Sequence, residues 1–157
     1  MVDSTFIDRT GVSPMSDDRI TVDELRYLSV FQNFTEAVAY RCIVDNEGNR
    51  LIFLVNKGDL GKAIGRSGKN VRMLSKILNK NIEIVEYSDD VDGMIRNLFS
   101  GVKILSIDII TRGDEKIAII KVPEEDKGKA IGRQGRNIKR ARLVLSKLFN
   151  ISKITIK

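Results

Sequence analysis

The 157-residue chain is 42% hydrophobic and 31% charged, carries a net charge of +6, and holds no histidine and one cysteine, Cys42. That balance is globular rather than disordered; the lack of histidine excludes His-based triads and most transition-metal sites, and a lone cysteine excludes an internal disulfide and fits a reducing compartment. No apolar run reaches the roughly 18 residues of a membrane span and no signal peptide opens the chain, so a soluble, cytoplasmic protein without membrane, metal or cofactor partners is expected.

Residues 1–19 carry Gly11 and Pro14 without periodicity and read as a flexible tail. Thr21 followed by Glu24 has the spacing of a capping box. It opens a helix to about Phe34, with Leu25, Leu28 and Phe31 or Gln32 facing inward. Val38, Tyr40, Cys42 and Val44 then alternate as a strand, with Cys42 packed in the core. Asp45-Asn46-Glu47-Gly48-Asn49 is turn chemistry, and residues 51–55 return as a second strand. A short helix over 59–64, a glycine loop, a helix over 70–78 and a strand at 82–85 complete the order αββααβ.

The second half repeats that order. Met94, Ile95, Leu98 and Phe99 mark a helix face, capped by Asp90 or Asp92. Strands near 102–110 and 116–122 flank a turn at Arg112-Gly113-Asp114. A short helix over 124–131, a second glycine loop, a helix over 137–149 and a strand at 153–156 follow. The spacing predicts domains over 20–88 and 89–157, with a linker at Ser88-Asp89 short enough to hold them against each other.

The duplication is explicit in the residues. GKAIGRSGKN at 61–70 and GKAIGRQGRN at 128–137 match at eight of ten positions, 67 residues apart. Val55 and Asp59 align with Val122 and Asp126 at the same offset. Leu74-Ser75-Lys76 aligns with Leu145-Ser146-Lys147 at an offset of 71. The four added residues are close to one helical turn, so the second long helix grows without rotating its buried face.

Each loop runs from one helix into the next, which puts its second glycine at a helix N-terminus. Unpaired N–H groups and the positive dipole end attract phosphate there. The pairs Gly65/Gly68 and Gly132/Gly135 remove Cβ atoms that would hold a sugar-phosphate chain away, and they permit positive φ. Between them Arg66-Ser67 and Arg133-Gln134 offer donors to phosphate oxygens. Lys69 and Arg136 add charge just after each loop, and Lys62 and Lys129 add it one turn before.

Ile64 and Ile131 form an apolar floor for bases, with Val71 and Ile138 beside them. Asn70 and Asn137 end the two motifs. Lys139 and Arg140 adjoin the second loop within residues 127–157, which hold ten basic side chains and no acidic one. Neither loop contains an aromatic residue, which argues against base stacking on an aromatic sheet. The nucleotide-binding pattern G-x-x-x-x-G-K-[ST] is not met, because Ala63 stands where its first glycine belongs and Asn70 follows Lys69. A Rossmann fingerprint fails because the loops follow short helices instead of strands.

The pattern I-G-x-x-G-x-N between two helices, after a hairpin, resembles a KH domain, and the αββααβ order resembles its type II form. Two such units on a minimal linker resemble the tandem KH pair of NusA. GKAIGRSGKN…IEIVEYSDD, then IRNLF and VPEEDKGKAIGRQGRNIKRAR, is similar to the archaeal NusA-like proteins in particular. The resemblance implies an α+β fold of two tandem type II KH domains, each a three-stranded sheet packed on helices. It also implies a non-enzymatic role in transcription elongation or termination, with single-stranded RNA as partner and RNA polymerase as a family-level second. A ribosome- or translation-associated KH protein and a polymerase-docking adaptor are the alternatives.

Overall fold

A computed structural model describes residues 19–157; the expected tail over 1–19 lies outside the described residues except for Arg19. The elements are α1 (Val22–Phe34), β1 (Ala39–Asp45), β2 (Arg50–Val55), α2 (Leu60–Ile64), α3 (Lys69–Leu78) and β3 (Asn81–Glu86). They continue as α4 (Val91–Leu98), β4 (Ser106–Arg112), β5 (Glu115–Lys121), α5 (Lys127–Ile131), α6 (Arg136–Phe149) and β6 (Lys153–Ile156). Two three-stranded sheets result, ordered β1-β2-β3 and β4-β5-β6. In each, the first pair is antiparallel and the second parallel. The α+β class and the doubled αββααβ order are as expected.

The parallel pairs decide where the glycine loops fall. Antiparallel β1 and β2 are joined by a tight turn, in which the Asp45 carboxylate accepts from Gly48 N–H at 3.0 Å. Parallel strands need a long crossover instead, and α2, the first loop and α3 together make it. The loop is the elbow of that crossover. In the second sheet α5, the second loop and α6 do the same.

The helix-facing side of the first sheet presents Cys42, Leu51, Phe53 and Val55 to Tyr27 and Phe31 of α1, Ala63 of α2 and Leu74 of α3. Phe31 and Phe53 stack at 4.5 Å between ring centroids. Burying each large side chain contributes roughly 1.5–3 kcal/mol. In the second sheet Ala118, Ile120 and Val122 take the alternating core positions, and Ala130, Ala141, Val144 and Leu145 are buried on the helices. α3 has 10 residues and α6 has 14. Leu74 and Leu145 are both fully buried, so the inserted turn keeps the helical phase.

Four local expectations are corrected. On α1 the buried residues are Glu24, Tyr27 and Phe31, whereas Leu25 is 56% exposed. Thr21 Oγ1 accepts from Glu24 N–H at 3.1 Å, so half of the capping box forms. The other half does not, because the Glu24 carboxylate faces the sheet. It accepts from Arg41 Nε at 2.7 Å, Arg41 Nη2 at 3.1 Å and Cys42 N–H at 2.9 Å.

β1 also departs from simple alternation. A register shift between Ala39 and Arg41 turns Tyr40 outward, where it stacks on Tyr87, and Val38 lies outside the strand and is exposed. Arg41, Ile43 and Asp45, of the opposite parity, are buried. Finally, β4 begins at Ser106, because Lys103 N–H is turned to the Asp126 carboxylate at 2.8 Å.

The compact units run from Ile20 to Ser100 and from Gly101 onward. The repeat phase sets the boundary near residue 89; the compact units set it after α4. That helix buries Met94, Ile95 and Leu98, is capped by Asp90 through Gly93 N–H, and is tied to β3 by Asn97 Nδ2, which donates to Glu86 O at 2.9 Å.

Removing the Glu24 charge leaves the buried Arg41 guanidinium without its carboxylate, so Glu24→Gln is expected to destabilise by about 3–5 kcal/mol in urea denaturation. Burial first, and Glu24 second, push the Cys42 thiol well above its ordinary range, against a smaller pull from Arg41. The folded chain therefore keeps a proton that the unfolded chain releases above about pH 8.5. Stability falls as pH rises through that range, with a slope approaching about 1.4 kcal/mol per pH unit, and Cys42→Ala should flatten the alkaline slope in melts between pH 8 and 10.

Candidate nucleic-acid interface

The two elbows are built alike down to their torsion angles. Gly65 lies at φ 82°, ψ 167° and Gly132 at φ 80°, ψ 164°, a region essentially limited to glycine. Ser67 (55°, 30°) and Gln134 (58°, 27°) are left-handed, at a cost of about 1–2 kcal/mol for a residue with a Cβ. Gly68 (75°, 19°) and Gly135 (74°, 17°) follow in the same region. Two unlike side chains held in one disfavoured conformation show that the surrounding frame imposes the loop shape.

Part of that frame is an asparagine clasp. Asn70 Nδ2 donates to Lys62 O at 3.2 Å and Asn137 Nδ2 to Lys129 O at 2.9 Å. A Cβ on Gly65 would stand 2.9 Å from the Asn70 amide, and one on Gly132 would stand 2.9 Å from that of Asn137. A Cβ on Gly68 would meet nothing nearer than Arg72 Nη1 at 3.3 Å, and on Gly135 nothing nearer than Lys139 Cε at 3.9 Å. The first glycine of each loop is thus required by packing and torsion, the second by torsion alone.

A second tie comes from Asp59 and Asp126. Their carboxylates accept from Val38 N–H at 3.3 Å and Lys103 N–H at 2.8 Å. Each holds the helix before a loop against the segment entering the first strand of its sheet. Their equal offset in the sequence is the trace of this shared contact.

The structure narrows the expected set of phosphate donors. Gly68 and Gly135 N–H donate to Gly65 O and Gly132 O at 3.1 and 3.0 Å. Lys69 and Arg136 N–H donate to Arg66 O and Arg133 O. These four amides are engaged within the loops, where tight turns use them. The mouths of α3 and α6 nevertheless have no side-chain cap and no acidic residue in the first turn.

Around those mouths Arg66, Ser67, Lys69, Arg133, Gln134, Arg136 and Lys139 are exposed, while Arg140 is half-buried. Lys62 Nζ lies 4.0 Å from Asp59, and Lys129 Nζ donates to Gly101 O at 3.1 Å. Ile131 is exposed, and Ile64 and Ile138 are half-buried. Val71 packs against the first core.

Five neighbours of the first loop are absent from the sequence expectation. Arg72 Nη1 folds back and donates to Ser67 O; its place one helical turn after Gly68 was the available signal. The end of α1 and the segment after it also bring Asn33, Phe34, Thr35 and Glu36 together with Lys62 and Asn70 around a cavity of about 320 Å³. No sequence spacing links these residues to the loop. Among the described residues, no helix is long and apolar enough to cross a membrane.

A parallel crossover bent at a G-x-x-G elbow, repeated on two sheets, defines a tandem KH protein. The family model described as NusA-like second KH domain matches twice, over residues 33–92 and 91–157. The chain belongs to this NusA-like KH family. It is 30% identical over 142 residues to the probable transcription termination protein NusA of Methanocaldococcus jannaschii, covering 90% of this chain and 76% of that one. The protein of the same description from Halobacterium salinarum is 33% identical over 135 residues, covering 85% and 95%. A solved crystal structure, that of APE1850, is 57% identical with a TM-score of 0.85, covering 88% of this chain and all of the other.

The different roles of the two glycines are testable by stability. Gly65→Ala should lose about 2–3 kcal/mol from torsion and the asparagine clash together. Gly68→Asn should stay within about 1 kcal/mol, because asparagine tolerates the left-handed region. Chemical denaturation of the two variants reads the difference.

Proposed function

We propose that the chain binds single-stranded RNA through both glycine loops and acts as a NusA-like elongation or termination factor on nascent transcripts. The observation that carries this reading is the pair of loops with matching torsions, each opening onto an uncapped helix N-terminus ringed by exposed basic side chains. A phosphate seated at either mouth supplies the missing cap and meets the positive end of the helix dipole. Arg66 and Lys69 at the first loop, and Arg133 and Arg136 at the second, close on its oxygens. Ser67 and Gln134 add polar contacts, and Ile64 and Ile131 lie under the bases.

Asn70 and Asn137 act through the loop shape, as positioning residues. Lys62, Lys129, Lys139 and Arg140 supply field more than direct grip, since Lys129 is already bonded and Arg140 is partly covered. Each loop holds the backbone of about four nucleotides, as KH modules do, and the two together gain avidity on a longer strand. The role in transcription rests on the family and on the names of its members, and so does association with RNA polymerase. The chemistry is binding, not catalysis.

Gly68→Asp and Gly135→Asp place a carboxylate at each mouth while the backbone keeps its left-handed torsion. In fluorescence anisotropy with a 12-nucleotide single-stranded RNA, the double variant should bind about 100-fold more weakly, with its melting temperature little changed. Gly135→Asp alone should weaken binding more than Gly68→Asp, since the second loop stands in the acid-free basic segment. Survival of affinity in the double variant would remove the clamp reading. The logarithm of affinity should also fall with the logarithm of salt by about 0.7 for each phosphate neutralised, and each single variant should show a shallower slope.

A further inference from the structure

We infer that the cavity behind the first loop is a nucleobase subsite selective for guanine. The inference rests on the clamp reading above and extends it to a place that reading does not use. The cavity, about 320 Å³, is lined by Asn33, Phe34, Thr35, Glu36, Lys62 and Asn70. It shares Lys62 and Asn70 with the rim of the first loop, so a strand gripped at Gly65–Gly68 has a base within reach of it.

The lining is chemically specific. Phe34 is 42% exposed, unlike Phe31 and Phe53 in the core beside it, and offers a ring face for stacking. A base stacked on an aromatic ring gains affinity without regard to sequence, so selectivity has to come from the polar groups. Glu36, on the cavity wall, supplies two acceptor oxygens. Lys62 supplies a donor.

Guanine alone presents two adjacent donors, N1–H and N2–H, with an acceptor, O6, next to them. The two donors suit the Glu36 carboxylate and O6 suits the Lys62 ammonium. Uracil offers a single donor between two acceptors, and cytosine and adenine each offer one amino donor beside a ring acceptor, so none of them presents two adjacent donors to the carboxylate.

The test uses the full chain and two labelled 10-nucleotide strands, one all uridine and one with a single central guanosine. Wild type should bind the guanosine strand about tenfold more tightly. Glu36→Gln should bring the ratio close to one, and Phe34→Ala should weaken the guanosine strand about tenfold. A 6-thioguanosine at the central position should crosslink to the peptide containing Phe34.

A wild-type ratio near one overturns the subsite, as does a ratio unchanged in both variants or a crosslink mapping elsewhere. Gly68→Asp/Gly135→Asp separates the two readings. If that variant loses both strands while Phe34→Ala and Glu36→Gln behave as wild type, the clamp stands and the subsite falls. If it keeps both strands, the clamp itself fails.

Discussion

A parallel strand pair cannot be closed by a hairpin, and most of what distinguishes this protein depends on that constraint. β2 and β3 run the same way, as do β5 and β6, so the chain must leave each sheet and come back across its face. It does so through a short helix, a sharp elbow and a longer helix. The elbow turns within four residues, three of which take glycine-restricted or left-handed torsions. Loop shape is therefore a consequence of sheet topology before it is a feature of binding. The elbow also leaves a long helix that starts without a side-chain cap over its mouth.

The two units satisfy the same topology with different interiors. The first places buried ion pairs around its sheet. Glu24 binds Arg41 and the Cys42 amide, and Arg50 bonds to both Asp45 and Glu83 at 2.7 and 3.0 Å. Such pairs add little net stability but penalise any arrangement that separates them. They also explain why α1 turns an acidic residue inward and leaves Leu25 outside. The second unit uses Ala118, Ile120, Val144 and Leu145, with the longer α6 extending its packing. The first unit adds buried ion pairs to its apolar core, yet the elbows of the two units agree within a few degrees.

Much of the architecture was legible in the residues. The repeat at 61–70 and 128–137, the four-residue insertion and a cap at Asp90 or Asp92 all rest on local chemistry or on periodicity, and local rules carry that information. The misread positions share one cause. Leu25 is read from helical periodicity, Tyr40 from strand alternation and the start of β4 from local sequence, and such patterns assume that one face of an element is apolar and the other wet. Where a buried ion pair, a register shift or a carboxylate from a distant loop takes over, alternation no longer describes burial.

By itself the sequence determined that the chain is two copies of one αββααβ unit, with glycine elbows at Gly65–Gly68 and Gly132–Gly135 and basic side chains around them. Those are properties of spacing and residue type, and they survive without coordinates. Only the tertiary structure decided which loop amides are already engaged and that Asn70 and Asn137 brace the loops from within. It also decided that Asp59 and Asp126 tie helix to strand, and that Phe34 and Glu36 stand next to Lys62. Each of these is a contact between residues brought together by the closing of a sheet. No local pattern encodes such a meeting, because neither partner carries a mark of the other.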